Sequence, residues 1–319
     1  MTEEAREISR EETFEVPIEY ASERIDKFLS LVESDRSRSY FQKRIRSGDV
    51  LINGRPCKSA DRVAEEDRIT VRIPPEEAPS ILPEEIPLEI LYEDSDLIIV
   101  NKQKGMVVHP APGHTSGTLV NALLYHCAGN LSGINGVIRP GIVHRIDKDT
   151  TGAIIACKND FAHADIAEQI RSHTAGRVYH GFVAGIIKED EGSIDLPIGR
   201  HPTDRKKMAV VSRGGREALT NYRVLERYEK ERVTLTECRL QTGRTHQIRV
   251  HMAHEGHPLL GDPVYGSGKN PHHLNGQALH ARSISLVNPR TKEPLHVTAP
   301  YPDDFRRLFK IFGSTIRAD

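Results

Sequence analysis

The chain has 319 residues, 37% of them apolar and 28% charged. This excludes a wholly disordered protein and suggests roughly two domains of about 150 residues each. Its 44 basic and 45 acidic residues leave a formal net charge of −1. The molecule is therefore no polycation, and any nucleic-acid surface has to be local. No run reaches about 18 apolar residues, so no membrane partner is expected. The acidic opening MTEEAREISREETFE lacks the apolar segment of a signal peptide. Cys57, Cys127, Cys157 and Cys238 are scattered, with no Cys-x-x-Cys pair. That argues against a zinc ribbon or disulfide framework and predicts a reducing, cytoplasmic setting.

Residues 1–15 are expected to be a flexible arm. Residues 16–75 read as a compact basic unit. An amphipathic helix opens at Arg24-Ile-Asp-Lys-Phe-Leu29, and a second runs from the cap Ser37 through Gln42-Lys-Arg-Ile-Arg46 to a stop at Gly48. Asn53-Gly54 predicts a tight turn between strands, and the alternation in Arg68–Ile73 predicts another strand. Residues 74–87, PPEEAPSILPEEIP, offer little to pack, and 76–87 are expected to be an extended linker.

From 88 to 319 the pattern becomes strands with irregular loops. A hairpin is expected around Asp94-Ser-Asp96, helices over 118–126, 161–173 and 305–312, and strands over 177–185, 233–240 and 278–287. Many strands and few helices predict an α+β fold with a mostly antiparallel sheet.

Three segments carry chemistry. In Gly141-Ile-Val-His-Arg-Ile-Asp-Lys-Asp-Thr-Thr-Gly152, apolar residues on both sides of a polar stretch put Asp147 on a loop held between core strands. An aspartate there more often only caps a turn. Leu240-Gln-Thr-Gly-Arg-Thr-His-Gln-Ile-Arg-Val-His-Met-Ala-His254 ends a strand in a glycine turn and continues as a helix. Arg244 at that turn suits a carboxylate or phosphate, or simply a surface ion pair. Tyr179 lies mid-strand in Arg177-Val-Tyr-His-Gly-Phe-Val183, where a tyrosine usually packs.

Together these segments resemble a known family. His144-Arg-Ile-Asp-Lys-Asp-Thr-Thr-Gly152 resembles the His-Arg-Leu-Asp-x-x-Thr-Ser-Gly signature of the ribosomal large-subunit pseudouridine synthases. Ile146 and Thr151 depart from it conservatively, and Arg177 stands where lysine is common in the family. Arg177-x-Tyr179 and Leu240–His251 resemble the family's second and third motifs, in order. Arg200-His-Pro202 and Gly261-Asp-Pro-Val-Tyr-Gly266 bring the chain nearest the family's synthase D branch. Residues 24–73 resemble an S4 RNA-binding domain. The resemblance spans about 22–305.

The resemblance implies conversion of uridine to pseudouridine in RNA: large-subunit (23S) ribosomal RNA, free or in a pre-ribosomal particle. This isomerisation needs no redox cofactor, and the sequence carries no Rossmann or P-loop signature. A carboxylate can attack the nucleoside or take a ribose proton; Asp147 is the candidate. By resemblance Arg244 would pair with Asp147 and lower its pKa. Tyr179 would line the uracil pocket and could remove the C5 proton, although a reference pKa of about 10 makes it a poor base unless shifted. Arg145 would stack in the gap left by the flipped base.

Arg36, Arg38, Lys43, Arg44 and Arg46 form a run without acids, either a phosphate-binding stripe or a solvated helix face. Arg205, Lys206 and Lys207, near Arg200 and His201, form a second basic cluster, and Lys102, Lys104 and His109 are expected to line the same groove. Two other readings stand beside this one. His246, His251, His254, His257 and Asp262 could suggest a metal hydrolase, but the spacing fits no zinc motif, so no metal is expected. An S4 unit alone would also suit an RNA-binding ribosome-assembly factor without catalysis. Lacking a coiled-coil pattern, the chain is expected to be a monomer.

Overall fold

The computed structural model describes residues 10–33, 38–73, 81–111, 114–134, 136, 139–204 and 207–316. The chain divides into two compact units, residues 1–78 and 79–319.

In the first unit, strand β1 (Arg10–Glu15) precedes helices α1 (Ile25–Val32) and α2 (Arg38–Arg46), followed by β2 (Val50–Ile52), β3 (Arg55–Pro56) and β4 (Arg68–Ile73). The strands form one sheet in the order β1-β4-β2-β3. Ile25, Phe28 and Leu29 recur at helical spacing on α1 and meet Phe41 and Ile45 of α2 over Val50, Ile69 and Val71 of the sheet. Asn53 and Gly54 both take positive φ, 50° and 77°, the conformation a two-residue hairpin turn needs. Arg10–Glu15, expected in a flexible arm, instead pairs antiparallel with β4 from Arg10↔Ile73 to Glu15↔Arg68. Its acidic side chains masked the alternation that seats Phe14 against the core.

In the second unit the elements are β5 (Ile90–Glu93), β6 (Leu97–Lys102), α3 (Leu119–His126), β7 (Thr151–Cys157), α4 (Asp160–Arg171), β8 (Gly176–Ala184), β9 (Glu191–Asp195), β10 (Ile198–Arg200), β11 (Met208–Val210), β12 (Leu219–Tyr228), β13 (Val233–Leu240), α5 (Gln247–His254), β14 (Leu279–Val287), β15 (Pro294–Thr298) and α6 (Asp303–Phe312). One sheet runs β5-β6-β7-β14-β8-β13-β12-β9, with β15 also on β14. Its pairings are antiparallel except that of β14 with β7. The β10–β11 hairpin stands apart from it.

Helices cover both faces, which is why β7 is buried along its whole length. Ile154 and Ala156 face α3 and α5, while Ala153, Ile155 and Cys157 face α4. Period-two alternation on β8 sends Tyr179 and Val183 to the first face and Phe182 to the aromatic cluster under α6. On α6, Phe305, Leu308, Phe309 and Phe312 bury one stripe, each contributing about 1.5–3 kcal/mol by leaving water.

Of the expected linker, residues 76–80 lie outside the described residues, and 81–87 belong to the second unit. Ile81 and Leu88 pack against the core of the second unit. Asn121 Nδ2 donates to the Leu82 carbonyl at 2.8 Å, and Glu84 N–H to the Asn121 carbonyl at 3.0 Å. Prolines hid this because an extended segment can bury alternate side chains without forming a strand. Among the described residues no helix is long and apolar enough to cross a membrane.

Candidate active site

Residues 141–150 form an irregular loop that follows no strand among the described residues, touches β7 through an isolated bridge between Ile142 and Ala156, and enters the sheet as β7. Two glycines set its ends. At Gly141 (φ 71°) a Cβ would lie 2.7 Å from the Cys157 carbonyl oxygen, and at Gly152 (φ 106°) 2.2 Å from that of Ala281. Only glycine fits either place. Between them, Thr150 N–H donates to the Asp147 carbonyl (3.1 Å), and Gln277 Nε2 to Thr150 Oγ1 (3.0 Å). Lys102 Nζ donates to the carbonyls of Gln103, Met106 and Lys148, each at 2.9 Å. Asp147 is therefore presented by a rigid loop.

The Asp147 carboxylate is 17% exposed and faces α5. Arg249 Nη1 donates to its Oδ2 at 2.9 Å. The same guanidinium forks onto Asp262 through Nε (2.7 Å) and Nη2 (2.9 Å). Asp262 is buried and also accepts N–H bonds from Val264 and Tyr265. Tyr265 stacks its ring under the guanidinium, 5.1 Å from centroid to Cζ. Burial pulls the Arg249 pKa down, but the Asp262 and Asp147 carboxylates outweigh it and hold the proton more tightly than usual. Burial likewise pushes Asp262 up, and Arg249 more than reverses this, keeping it ionised.

Around Asp147 a cleft is lined by Arg145, Ile146, Tyr179, Arg244, His246, Ile248 and Leu279, among others. Three of the expected site residues therefore gather around Asp147: Arg145, which is solvent-exposed, Tyr179 and Arg244. The expected pairing of Arg244 with Asp147 is corrected. Arg244 Nε donates to the Glu217 carbonyl at 2.8 Å, and Arg249 takes the carboxylate. The turn position of Arg244 drew attention in the sequence, but one turn into α5 the side chain of Arg249 points back toward the loop. A signal existed. An arginine between Ile248 and Val250 on a core-facing helix needs buried carboxylates, and Asp262 lay in a segment already singled out.

Tyr179 is 5% exposed, and burial, then the Asp147 charge, push its pKa up against the opposing pull of Arg177. The shift runs away from what a proton acceptor needs. Gln247 locks the turn before α5: its Oε1 accepts from Thr242 Oγ1 and Arg244 N–H, and its Nε2 donates to Leu219 O and Thr220 Oγ1.

The groove expected for Lys102, Lys104 and His109 does not form. Lys102 is buried beneath the loop, where burial lowers its pKa to about 7 against the pull of Asp149 and Asp147. Lys104 pairs with Asp304 at 2.6 Å. His109 is buried, its pKa lowered to about 4 by burial and then by Arg139 and Arg145. Lys207 stands just before β11, where its N–H bonds the Asp204 carbonyl. Arg205 and Lys206 lie outside the described residues, as does Arg36. In the first unit Arg38, Lys43 and Arg46 are exposed on α2. Arg38 bonds the buried Asp26 at 3.1 Å and Arg44 pairs with Asp49 at 3.2 Å, so the basic run is partly committed to acids.

His251, weighed above as a metal ligand, contacts Thr220 Oγ1 and the Leu196 carbonyl, both at 2.9 Å. Among the described residues no group of three or more His, Cys, Asp or Glu side chains could hold a metal ion.

Comparison with known proteins gives the geometry its context. Residues 96–254 match the family model for RNA pseudouridylate synthase, and residues 23–69 that for the S4 domain. The chain is 50% identical to an uncharacterised RNA pseudouridine synthase of Bacillus subtilis, over 92% of its own length and 95% of the relative's. It is 45% identical to the ribosomal large subunit pseudouridine synthase D of Zymomonas mobilis, over 90% of this chain and 93% of that one. Among solved structures, human RNA pseudouridylate synthase domain containing 1 aligns with a TM-score of 0.55 at 25% identity, covering 74% of this chain and 98% of the human one.

Proposed function

Because this chain belongs to the RNA pseudouridine synthases and isomerises uridine in RNA, we propose that Asp147 is its catalytic carboxylate and large-subunit ribosomal RNA its substrate. The observation carrying this is the Asp262–Arg249–Asp147 chain at the wall of a cleft shared with Tyr179. The relatives named synthase D support the choice of RNA.

The isomerisation breaks the N1–C1′ bond of uridine, joins C5 to C1′, removes the C5 proton and returns a proton to N1. Asp147 engages the ribose when the glycosidic bond breaks. Arg249 keeps that carboxylate aimed, since its Nε and Nη2 are anchored on Asp262. Tyr179 packs against the uracil as a neutral phenol. Arg145, exposed beside Asp147, fills the space the flipped base vacates, because a guanidinium plane stacks well on bases. Arg244, at the cleft edge, holds the RNA backbone. Lys207 and the exposed basic residues of α2 add phosphate contacts.

All four cysteines are free thiols, which suits a cytoplasmic protein. We take the working form to be a monomer, which sedimentation of the free protein checks directly.

The deciding experiment maps pseudouridines in unmodified large-subunit transcript, and in pre-ribosomal particles, after incubation with wild-type protein or Asp147→Ala. New pseudouridines with wild type alone support both proposals. Modification by Asp147→Ala at the wild-type rate removes Asp147 from the mechanism. Modification confined to other RNAs removes the ribosomal substrate.

A further inference from the structure

His246 is one of the few non-glycine residues with left-handed backbone, φ 58° and ψ 21°, and it sits at the N-terminal boundary of α5. A side chain held this way costs free energy and points to a constraint on where it is aimed. Its ring is 22% exposed and lines the cleft.

Among the described residues the ring has one hydrogen-bond partner. Nδ1 lies 2.8 Å from the Tyr265 hydroxyl, whose oxygen already accepts the Met208 N–H at 2.9 Å. The phenol has one proton to give, and with its oxygen taken by Met208 the matching acceptor is His246 Nδ1. The opposite arrangement would leave the phenol proton without an acceptor. Donation into Nδ1 fixes the neutral tautomer with its proton on Nε2. That nitrogen faces Asp147 Oδ1 at 3.9 Å, too long for a direct hydrogen bond. Both groups line the same cleft.

We propose that His246 is a further substrate-contacting residue, presenting an Nε2–H donor to a ribose oxygen of the target nucleotide beside Asp147. Tyr265 is the positioning residue that fixes its tautomer. This rests on the reading of Asp147 as the catalytic carboxylate. Tyr265 is held in turn by β11, whose Met208 and Val210 pack with it against Val250 of α5. The charged groups acting on the imidazole come from every surrounding element: Asp147 and Arg145 from the loop, Arg249 from α5, and Asp262 from the segment before Tyr265. Burial, the strongest influence, keeps the ring neutral, as a single-proton donor requires.

The test has two arms. Long-range ¹H–¹⁵N correlation on the full-length protein at neutral pH reads the tautomer without any RNA. The expected spectrum shows one imidazole protonated on Nε2 that vanishes in His246→Asn and loses its tautomer preference in Tyr265→Phe. Asparagine tolerates left-handed backbone, so His246→Asn keeps the fold. An Nδ1-protonated His246, or one unchanged in Tyr265→Phe, overturns the proposal. The second arm is single-turnover pseudouridine formation on ribosomal transcript. His246→Asn should slow it about 100-fold, the usual effect of deleting one aimed donor, and Tyr265→Phe about tenfold, with RNA affinity within twofold of wild type. A wild-type rate in His246→Asn sinks the proposal even where Asp147→Ala is dead. Full activity in Asp147→Ala defeats the carboxylate reading instead, while the spectrum still judges the tautomer.

Discussion

Arg249 binds Asp147 with one guanidinium nitrogen, at 2.9 Å, and spends its other two on Asp262. Three charges thus share one partly buried chain whose net charge is −1, and the arginine is the member that cannot be removed without stranding two carboxylates. Arg249→Ala should abolish pseudouridine formation and cost about 3–5 kcal/mol of stability, as expected for a broken buried pair. Arg244→Ala should slow turnover or weaken RNA binding while leaving stability within about 0.5 kcal/mol. Urea denaturation of the two variants compares them directly. Equal losses would mean that Arg249 has no special place under the loop.

Gly152 passes so close to β14 that a methyl group there collides with the Ala281 carbonyl, at a φ of 106° that disfavours any side chain. Gly152→Ala should therefore destabilise the second unit by about 3 kcal/mol or more, through backbone strain added to overlap. Gly129, with positive φ but open space around it, should tolerate the same change at about 1 kcal/mol. Melting temperatures of the pair check whether close approach, rather than φ alone, dictates the glycine.

His280 is fully buried between Thr151 Oγ1 (2.9 Å) and the Ala299 carbonyl (3.4 Å), and burial lowers its pKa to about 3. The unfolded chain binds a proton there below about 6.5 and the folded protein does not. The stability this neutral ring contributes is present above pH 6.5 and is lost as pH falls toward 3, at up to about 1.4 kcal/mol per pH unit. Denaturation at pH 7.5, 6 and 5 should show that decline, and His280→Gln should make it shallower, leaving the share of other buried histidines such as His109. An unchanged slope in the variant would assign the loss to other groups.

Lys43 and Arg46 are exposed on α2, whereas Asp26 is buried and gathers Arg24, Arg38 and Gln42. The double change Lys43→Ala/Arg46→Ala should weaken RNA binding across sequences. It should also reduce the slope of log K against log salt by about one to two. Asp26→Ala should destabilise the first unit instead, because it removes the buried acceptor that ties Arg24, Arg38 and Gln42 together. Binding titrations at several salt concentrations separate the two effects. An unaltered salt slope would take α2 out of the RNA contact.

The sequence by itself determined what local chemistry can write. Helical spacing in Ile25–Leu29 and Phe305–Phe312 reported a buried stripe, Asn53-Gly54 reported its turn, and glycines and apolar flanks around Asp147 reported a loop held by the core. The ordered motifs named the family and picked out Asp147, Tyr179 and Arg145, which the fold gathers into one cleft. Tertiary structure alone decided which arginine meets the carboxylate. Arg244 and Arg249 are five residues apart, and only the path of α5 beneath the loop, with Asp262 brought in from 13 residues further on, selects Arg249. It also placed Lys102 under the loop instead of in an RNA groove, and set Arg10–Glu15 on β4 across some 60 residues of chain. In each case the deciding partner is remote in sequence, and the energy of a charge or strand edge depends on the partner that long-range packing supplies.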